Sequence, residues 1–149
     1  DPYSPWNKQI RYGGETTSGL KRRTSFRMMQ KTIQHFIKDS GILDWATIDD
    51  TYSIVVTYWL AIQKSFEAEW KDHRHHLISK GIGLYSLFAL LTEIIKKHGN
   101  RVYDLSFFQQ VLQPLREGLD WGSNGTFADS GGQKGANMAF NVLKELIKL

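Results

Sequence analysis

Between residues 48 and 70 an apolar side chain recurs every three or four residues, as Ile48, Tyr52, Val55, Trp59, Ile62, Phe66 and Trp70. That spacing matches one face of an α-helix. The β-branched stretch from Ser53 to Thr57 would suit a strand, but strict alternation is missing and the helical period continues on both sides. The pattern predicts a long helix opening at Thr47 or Asp49 and running to Trp70, with Tyr52, Trp59, Phe66 and Trp70 as core residues.

Other segments repeat the argument. Thr24 or Ser25 can cap a helix carrying Phe26, Met29, Ile33, Phe36 and Ile37, which Gly41 ends. From Leu77 to His98 so few positions are polar that the helix is expected at the centre of the bundle. Gly81 and Gly83 near its beginning mark either its start or a close approach by another backbone. A fourth helix is expected from Ser106 to Gly118, with Pro114 bending it. A glycine-rich loop from Asp120 to Gly135 precedes a fifth, whose face is Met138, Ala139, Val142, Leu143, Leu146 and Ile147. The expected architecture is therefore all-α, a bundle of about five helices forming one domain over residues 1–149. Residues 1–23 lack a helical period and are read as an irregular or extended basic segment packed on that bundle.

Composition narrows the function classes. The chain has 149 residues, 41% of them hydrophobic, enough for one core without staples. With no cysteine, thiolate catalysis, Cys-ligated zinc and iron–sulfur clusters are excluded. The longest apolar stretch, Gly81 to Ile95, is broken by Ser86, Thr92 and Glu93 and falls short of the ~20 residues of a membrane span. A soluble protein without membrane contact is expected, with a lean to the cytoplasm. The chain begins at Asp1, which suggests a processed product or an excised piece of something longer, the second being the expectation.

The net charge of +4 has one source. Residues 1–30 hold six bases (Lys8, Arg11, Lys21, Arg22, Arg23 and Arg27) against Asp1 and Glu15, and the remainder is balanced. A basic segment beside a neutral body suits a polyanion such as DNA; a solvated loop is the blander reading. Ser130, Gly131, Gly132 and Lys134 form a second candidate, a glycine-rich turn at a helix start whose N–H groups suit an anion, although neither GxxxxGK[ST] nor GxGxxG is satisfied and a capping turn explains it as well.

His73, His75 and His76 offer imidazoles, but they fall in a polar break and form no HExxH arrangement, so they are read as a solvated turn with no metal or other cofactor assigned. Asp49 and Asp50 fit a helix N-terminus, and Glu67 and Glu69 a solvated face with Lys64 and Lys71. No nucleophile–base pair is readable, and no catalysis is expected of this piece alone. Trp6, Tyr12, Trp45 and Trp121 fall outside the helical stripes and are candidates for stacking on bases.

A series of short motifs adds a resemblance. Ser4-Pro5-Trp6-Asn7-Lys8-Gln9-Ile10 with Gly13-Gly14 is followed by Tyr58-Trp59-Leu60-Ala61-Ile62 and Phe66 to Trp70. Then come Ser79-Lys80-Gly81-Ile82-Gly83 before Leu87 to Leu91, Trp121 to Phe127, and Ser130-Gly131-Gly132-Gln133-Lys134-Gly135. In order and spacing this resembles the C-terminal half of DGQHR-domain proteins, which include relatives of DndB associated with bacterial DNA phosphorothioation. The resemblance covers nearly the whole chain. The DGQHR motif itself, found in a ParB-like N-terminal region of the family, is absent here.

The resemblance implies the helical C-terminal portion of a longer protein tied to DNA modification, its regulation or phage defence. Its partners would be the ParB-like domain of the same protein and DNA. No catalytic residue carries over. A protein–protein or dimerisation module, with a second copy as partner, is the alternative, motivated by the apolar helix from Leu77 to His98.

Overall fold

The computed structural model describes residues 2–11, 24–73, 75–122, 125–127 and 132–148. Two-residue strands β1 (Ile10–Arg11) and β2 (Thr24–Ser25) pair in parallel, Ile10 opposite Thr24 and Arg11 opposite Ser25. Six α-helices follow among the described residues: α1 (Phe26–Ser40), α2 (Ile48–Ser65), α3 (Glu67–Lys71), α4 (Gly81–His98), α5 (Leu105–Gly118) and α6 (Gly132–Leu146). A 3-10 turn, Ile42–Asp44, joins α1 to α2. The all-α expectation holds.

Capping sets the boundaries. The Ser25 hydroxyl accepts from the Met28 N–H at 3.2 Å, that of Thr47 from Asp50 at 3.0 Å, and the Asp104 carboxylate from Phe107 at 2.8 Å. Gly41 ends α1 in the left-handed conformation, φ 66°. Asp49 and Asp50 occupy the first turn of α2, where the helix dipole favours negative charge.

Three boundaries differ from those the periodicity implies. The long helix stops at Phe66 (φ −127°, ψ 51°), and the five-residue α3 carries the pattern on to Trp70. A change of axis that leaves Phe66 and Trp70 buried preserves the period, so the pattern conceals the break. The central helix begins at Gly81 instead of Leu77: residues 77–80 form a turn, with the Lys80 N–H donating to the Leu77 carbonyl at 3.1 Å, and Lys80 is an extended N-cap. The last helix begins at Gly132, so Gly132 and Gly135 lie in its first turn and not in the preceding loop.

α4 is the centre, with ten buried residues. It runs parallel to α1, since Met28 borders Gly81 and Phe36 meets Phe88 with ring centres 6.0 Å apart. α2 meets α4 near the middle of both helices: the Tyr58 hydroxyl donates to the Leu87 carbonyl at 2.6 Å, and Trp59 meets Phe88 edge-on at 5.4 Å. α5 packs on α2 through Tyr58 and Phe108. α6 covers α4, and its Leu146 lies against Gly118 at the end of α5.

Trp6 comes from the N-terminal segment yet is buried, at 6% exposure. Its ring meets Trp59 and Trp70 edge-to-face, at 5.0 and 5.3 Å. Trp121, Tyr103 and Phe127 also enter the core from connections. Conversely, Phe26, Ile48, Tyr52 and Met138, expected on buried faces, are exposed.

Candidate functional site

The N-terminal segment reaches the bundle as a turn. Asn7 donates its backbone N–H to the Ser4 carbonyl and Gln9 to that of Trp6, both at 3.0 Å, and Lys8 adopts a left-handed φ of 59°. β1 then pairs with β2, so Arg11 lies opposite Ser25, the cap of α1. Two residues on is Arg27, exposed in the first turn of α1, and Lys8 is exposed as well.

Three of the six candidate bases, Lys8, Arg11 and Arg27, thus belong to elements that meet at one end of the bundle. Lys21, Arg22 and Arg23 lie outside the described residues. Because α1 and α4 are parallel and in register, their N-termini are neighbours, and neither first turn contains an acid. Lys80, at the N-cap of α4, adds an exposed base that the charge count in residues 1–30 could not include. Aligned helix N-termini carry partial positive charge, so this end favours anions.

The second candidate is not brought to this end. Ser130 and Gly131 lie outside the described residues; Gly132 opens α6, and Lys134 is exposed in its first turn. The C-terminal end of α6 lies by Gly118, close in the chain to Trp121, which binds Leu77 just before α4. Its beginning therefore points toward the C-terminal halves of α1 and α4, where Ala136 shares a shallow cavity with Asp39 and Thr92. Lys134 and the Lys8–Arg27 group lie toward opposite ends.

Two of the tryptophans proposed for stacking on bases are corrected. Trp6 and Trp121 are core residues, and Trp45 stacks on Tyr103 at 6.1 Å and 24°. Tyr12 lies outside the described residues.

In the histidine turn, the His75 Nδ1 is 2.8 Å from the Asp72 carboxylate, and the His76 Nδ1 is 2.8 Å from the Asp72 carbonyl. The hydrogen bond from His75 holds the Asp72 carboxyl below its ordinary value; desolvation opposes it, and the charges of His75, His76 and His73 add to the lowering. Among the described residues no three His, Asp or Glu side chains are grouped to hold a metal ion. His98 ends α4 with its ring edge-on to Phe107 at 5.1 Å. Desolvation lowers its pKa first, with the charges of Lys97 and Arg101 adding to the effect.

α1 and α2 are consecutive and joined only through residues 41–47, yet they scarcely touch; α1 packs on α4 and α2 on α5. Between them opens a cavity of about 390 Å³, floored by Trp59 and Phe88 and bounded at one side by Ser4, Asn7 and Lys8. Exposed apolar side chains stand at its edge, Leu43 at 47%, Ile48 at 75% and Tyr52 at 49%. The stripe on α2 hints at it, because its first two members have no covering helix.

No helix among the described residues is long and apolar enough to cross a membrane. No family model matches the chain, and no curated protein or solved structure matches it.

Proposed function

We propose that this chain is a helical accessory module of a DGQHR-domain, DndB-like protein, acting in the cytoplasm in DNA modification, its regulation or phage defence, and that its basic end contacts DNA phosphates without sequence choice. The observation that carries this reading is the pairing of β1 with β2, which joins Lys8 and Arg11 to the acid-free N-terminus of α1 and Arg27. Bases at a helix N-terminus suit phosphate oxygens, which position a protein on DNA but do not read its sequence. Lys21, Arg22 and Arg23, which precede Thr24 in the sequence, are part of the same proposed phosphate contact.

The motif order from Ser4 to Gly135 supports the family part of the reading, and the ParB-like domain would supply the chemistry. The protein–protein alternative draws less support from its original motive, because the apolar surface of α4 is taken up by α1 and α6.

Fluorescence anisotropy on duplex and single-stranded oligonucleotides tests the DNA contact. Affinity is expected to fall with salt, with a log–log slope of about −0.9 per phosphate neutralised on duplex. Lys8→Glu with Arg27→Glu, and separately Arg22→Glu with Arg23→Glu, should weaken binding and flatten that slope. Salt-independent binding, no binding, or full binding by both charge-reversed variants would remove the DNA contact and leave a scaffolding module.

A further inference from the structure

The walls of the cavity between α1 and α2 are almost wholly apolar. Ile33 and Ile37 of α1 line one side, Tyr52 and Val55 of α2 the other, and Trp59 and Phe88 the floor. Most of the polar groups around it are answered within the chain. The Ser4 hydroxyl accepts the Trp6 backbone N–H at 3.1 Å, and the Thr51 hydroxyl donates to the Thr47 carbonyl at 2.8 Å. Lys8, at the edge, has an interaction of its own and belongs to the basic end. No acid among the described residues lines the cavity. No charge in this space therefore calls for an opposite one.

Two donors are left over. Trp6 and Trp59 both line the cavity, at 6% and 1% exposure, and neither indole N–H has an acceptor among the described residues. A buried donor without a partner has given up its hydrogen bond to water and gained none in return. The volume of about 390 Å³ falls within the ~300–1,000 Å³ range of small-molecule sites, which pair apolar walls with a few polar groups that fix orientation. Water in such a space has few partners on the helix walls, so an apolar body that displaces it gains free energy.

We propose that this cavity binds a neutral, mostly apolar small molecule that carries a carbonyl oxygen, a ketone or an ester. Its apolar body lies between α1 and α2, and its oxygen accepts from the indole N–H of Trp6 or Trp59. A carboxylate is disfavoured, because its charge would leave water for apolar walls. A plain hydrocarbon would leave both indoles unpaired. The site stands without the DNA reading and asks nothing of Lys8, Arg11 or Arg27.

The probe is 1-acetylnaphthalene, titrated into the full chain and followed by the five tryptophan indole N–H signals in proton–nitrogen NMR spectra. Two relatives of similar shape serve as controls: 1-ethylnaphthalene, which lacks the oxygen, and 1-naphthoate, which carries a charge. Saturable binding of one ketone per chain is expected, with the Trp6 or Trp59 indole proton moving downfield as its hydrogen bond forms. The hydrocarbon should bind without that downfield shift, and the carboxylate at least about tenfold more weakly than the ketone. Val55→Trp fills the cavity and should lower the ketone's affinity by at least about tenfold. Tyr52→Ala removes a wall and should weaken it several-fold; Tyr52 is 49% exposed, so this variant decides the matter should Val55→Trp fail to fold. Absence of saturable binding overturns the proposal, as does indifference to Tyr52→Ala. Equal or tighter binding of 1-naphthoate, or indole signals that respond alike to ketone and hydrocarbon, also overturns it. Binding of one ketone per two chains, with a concentration-dependent dimer in light scattering, overturns it too and assigns the face to a second copy.

Discussion

Replacing Gly83 by alanine separates a helix-propensity account of this chain from a packing account, because the two predict opposite signs. Gly83 is the third residue of an 18-residue helix, and Gly→Ala inside a helix ordinarily stabilises by about 1 kcal/mol. Here a Cβ would fall inside the Ile78 carbonyl, with the Leu77 carbonyl beside it. Both neighbours are backbone, so no side-chain rotation relieves the overlap and the 77–80 turn must move. That turn is tied down: Ile78 and Ser79 are fully buried, the Leu77 N–H holds the Trp121 carbonyl, and the Lys80 N–H holds the Leu77 carbonyl at 3.1 Å. Moving it gives up about 1 kcal/mol for a hydrogen bond and about 1.5–3 kcal/mol if Ile78 leaves the core. Set against the propensity gain, Gly83→Ala should destabilise by roughly 1.5–3 kcal/mol. Gly81→Ala is the control, since a Cβ there meets only the flexible Met28 side chain at 3.6 Å and should be neutral or slightly stabilising. Urea unfolding followed by circular dichroism measures both. A Gly83→Ala protein as stable as the parent would refute the close approach of the 77–78 backbone to α4.

Further measurements follow from single contacts. Asp104→Ala removes the cap of α5 and should cost about 1 kcal/mol in urea unfolding, whereas Asp104→Asn keeps an acceptor and most of that stability. Tyr58→Phe deletes the buried hydroxyl bonded to Leu87 and should cost about 1 kcal/mol. Burial raises the Tyr58 pKa well above its ordinary 10.0, so the neutral phenol's contribution is complete below pH 10 and is lost as pH rises beyond it. Alkaline unfolding should therefore begin later in Tyr58→Phe than in the parent, relative to each protein's stability at pH 8. Trp6→Ala should cost about 3–5 kcal/mol if the N-terminal turn unfolds with the body, and less if it detaches alone; protease cleavage near residue 10 distinguishes the two.

The helices were legible where one face meets the core along their whole length. α1 and α5 announce themselves by period, and Ser25, Thr47 and Gly41 mark ends that the backbone obeys. The break at Phe66 was not legible, because burial of both Phe66 and Trp70 survives a change of helix axis. Period also cannot say how far a neighbouring helix extends, which is why Ile48 and Tyr52 continue the stripe of Trp59 and Ile62 but reach solvent. For the candidate site, charge clustering found Lys8, Arg11 and Arg27. It could not find Lys80, whose proximity arises only from the parallel packing of α1 on α4.

The least periodic part of the chain has the largest influence on both the basic end and the cavity between α1 and α2. An isolated tryptophan in a polar segment gives no sequence signal for burial, yet Trp6 sits edge-on to two other tryptophans and fixes residues 4–10 over the ends of α1 and α2. Its indole N–H and that of Trp59 have no hydrogen-bond acceptor among the described residues, a cost of roughly 1–3 kcal/mol each that is tolerated only because the aromatic burial exceeds it. With Trp6 in place, β1 can reach β2 and the basic end is assembled; the same turn sets Ser4, Asn7 and Lys8 along the cavity. The basic end and the cavity share Lys8 as well as this turn, so Arg27 and Ile48 each touch one of them alone, while loss of the Trp6 anchor should disturb both.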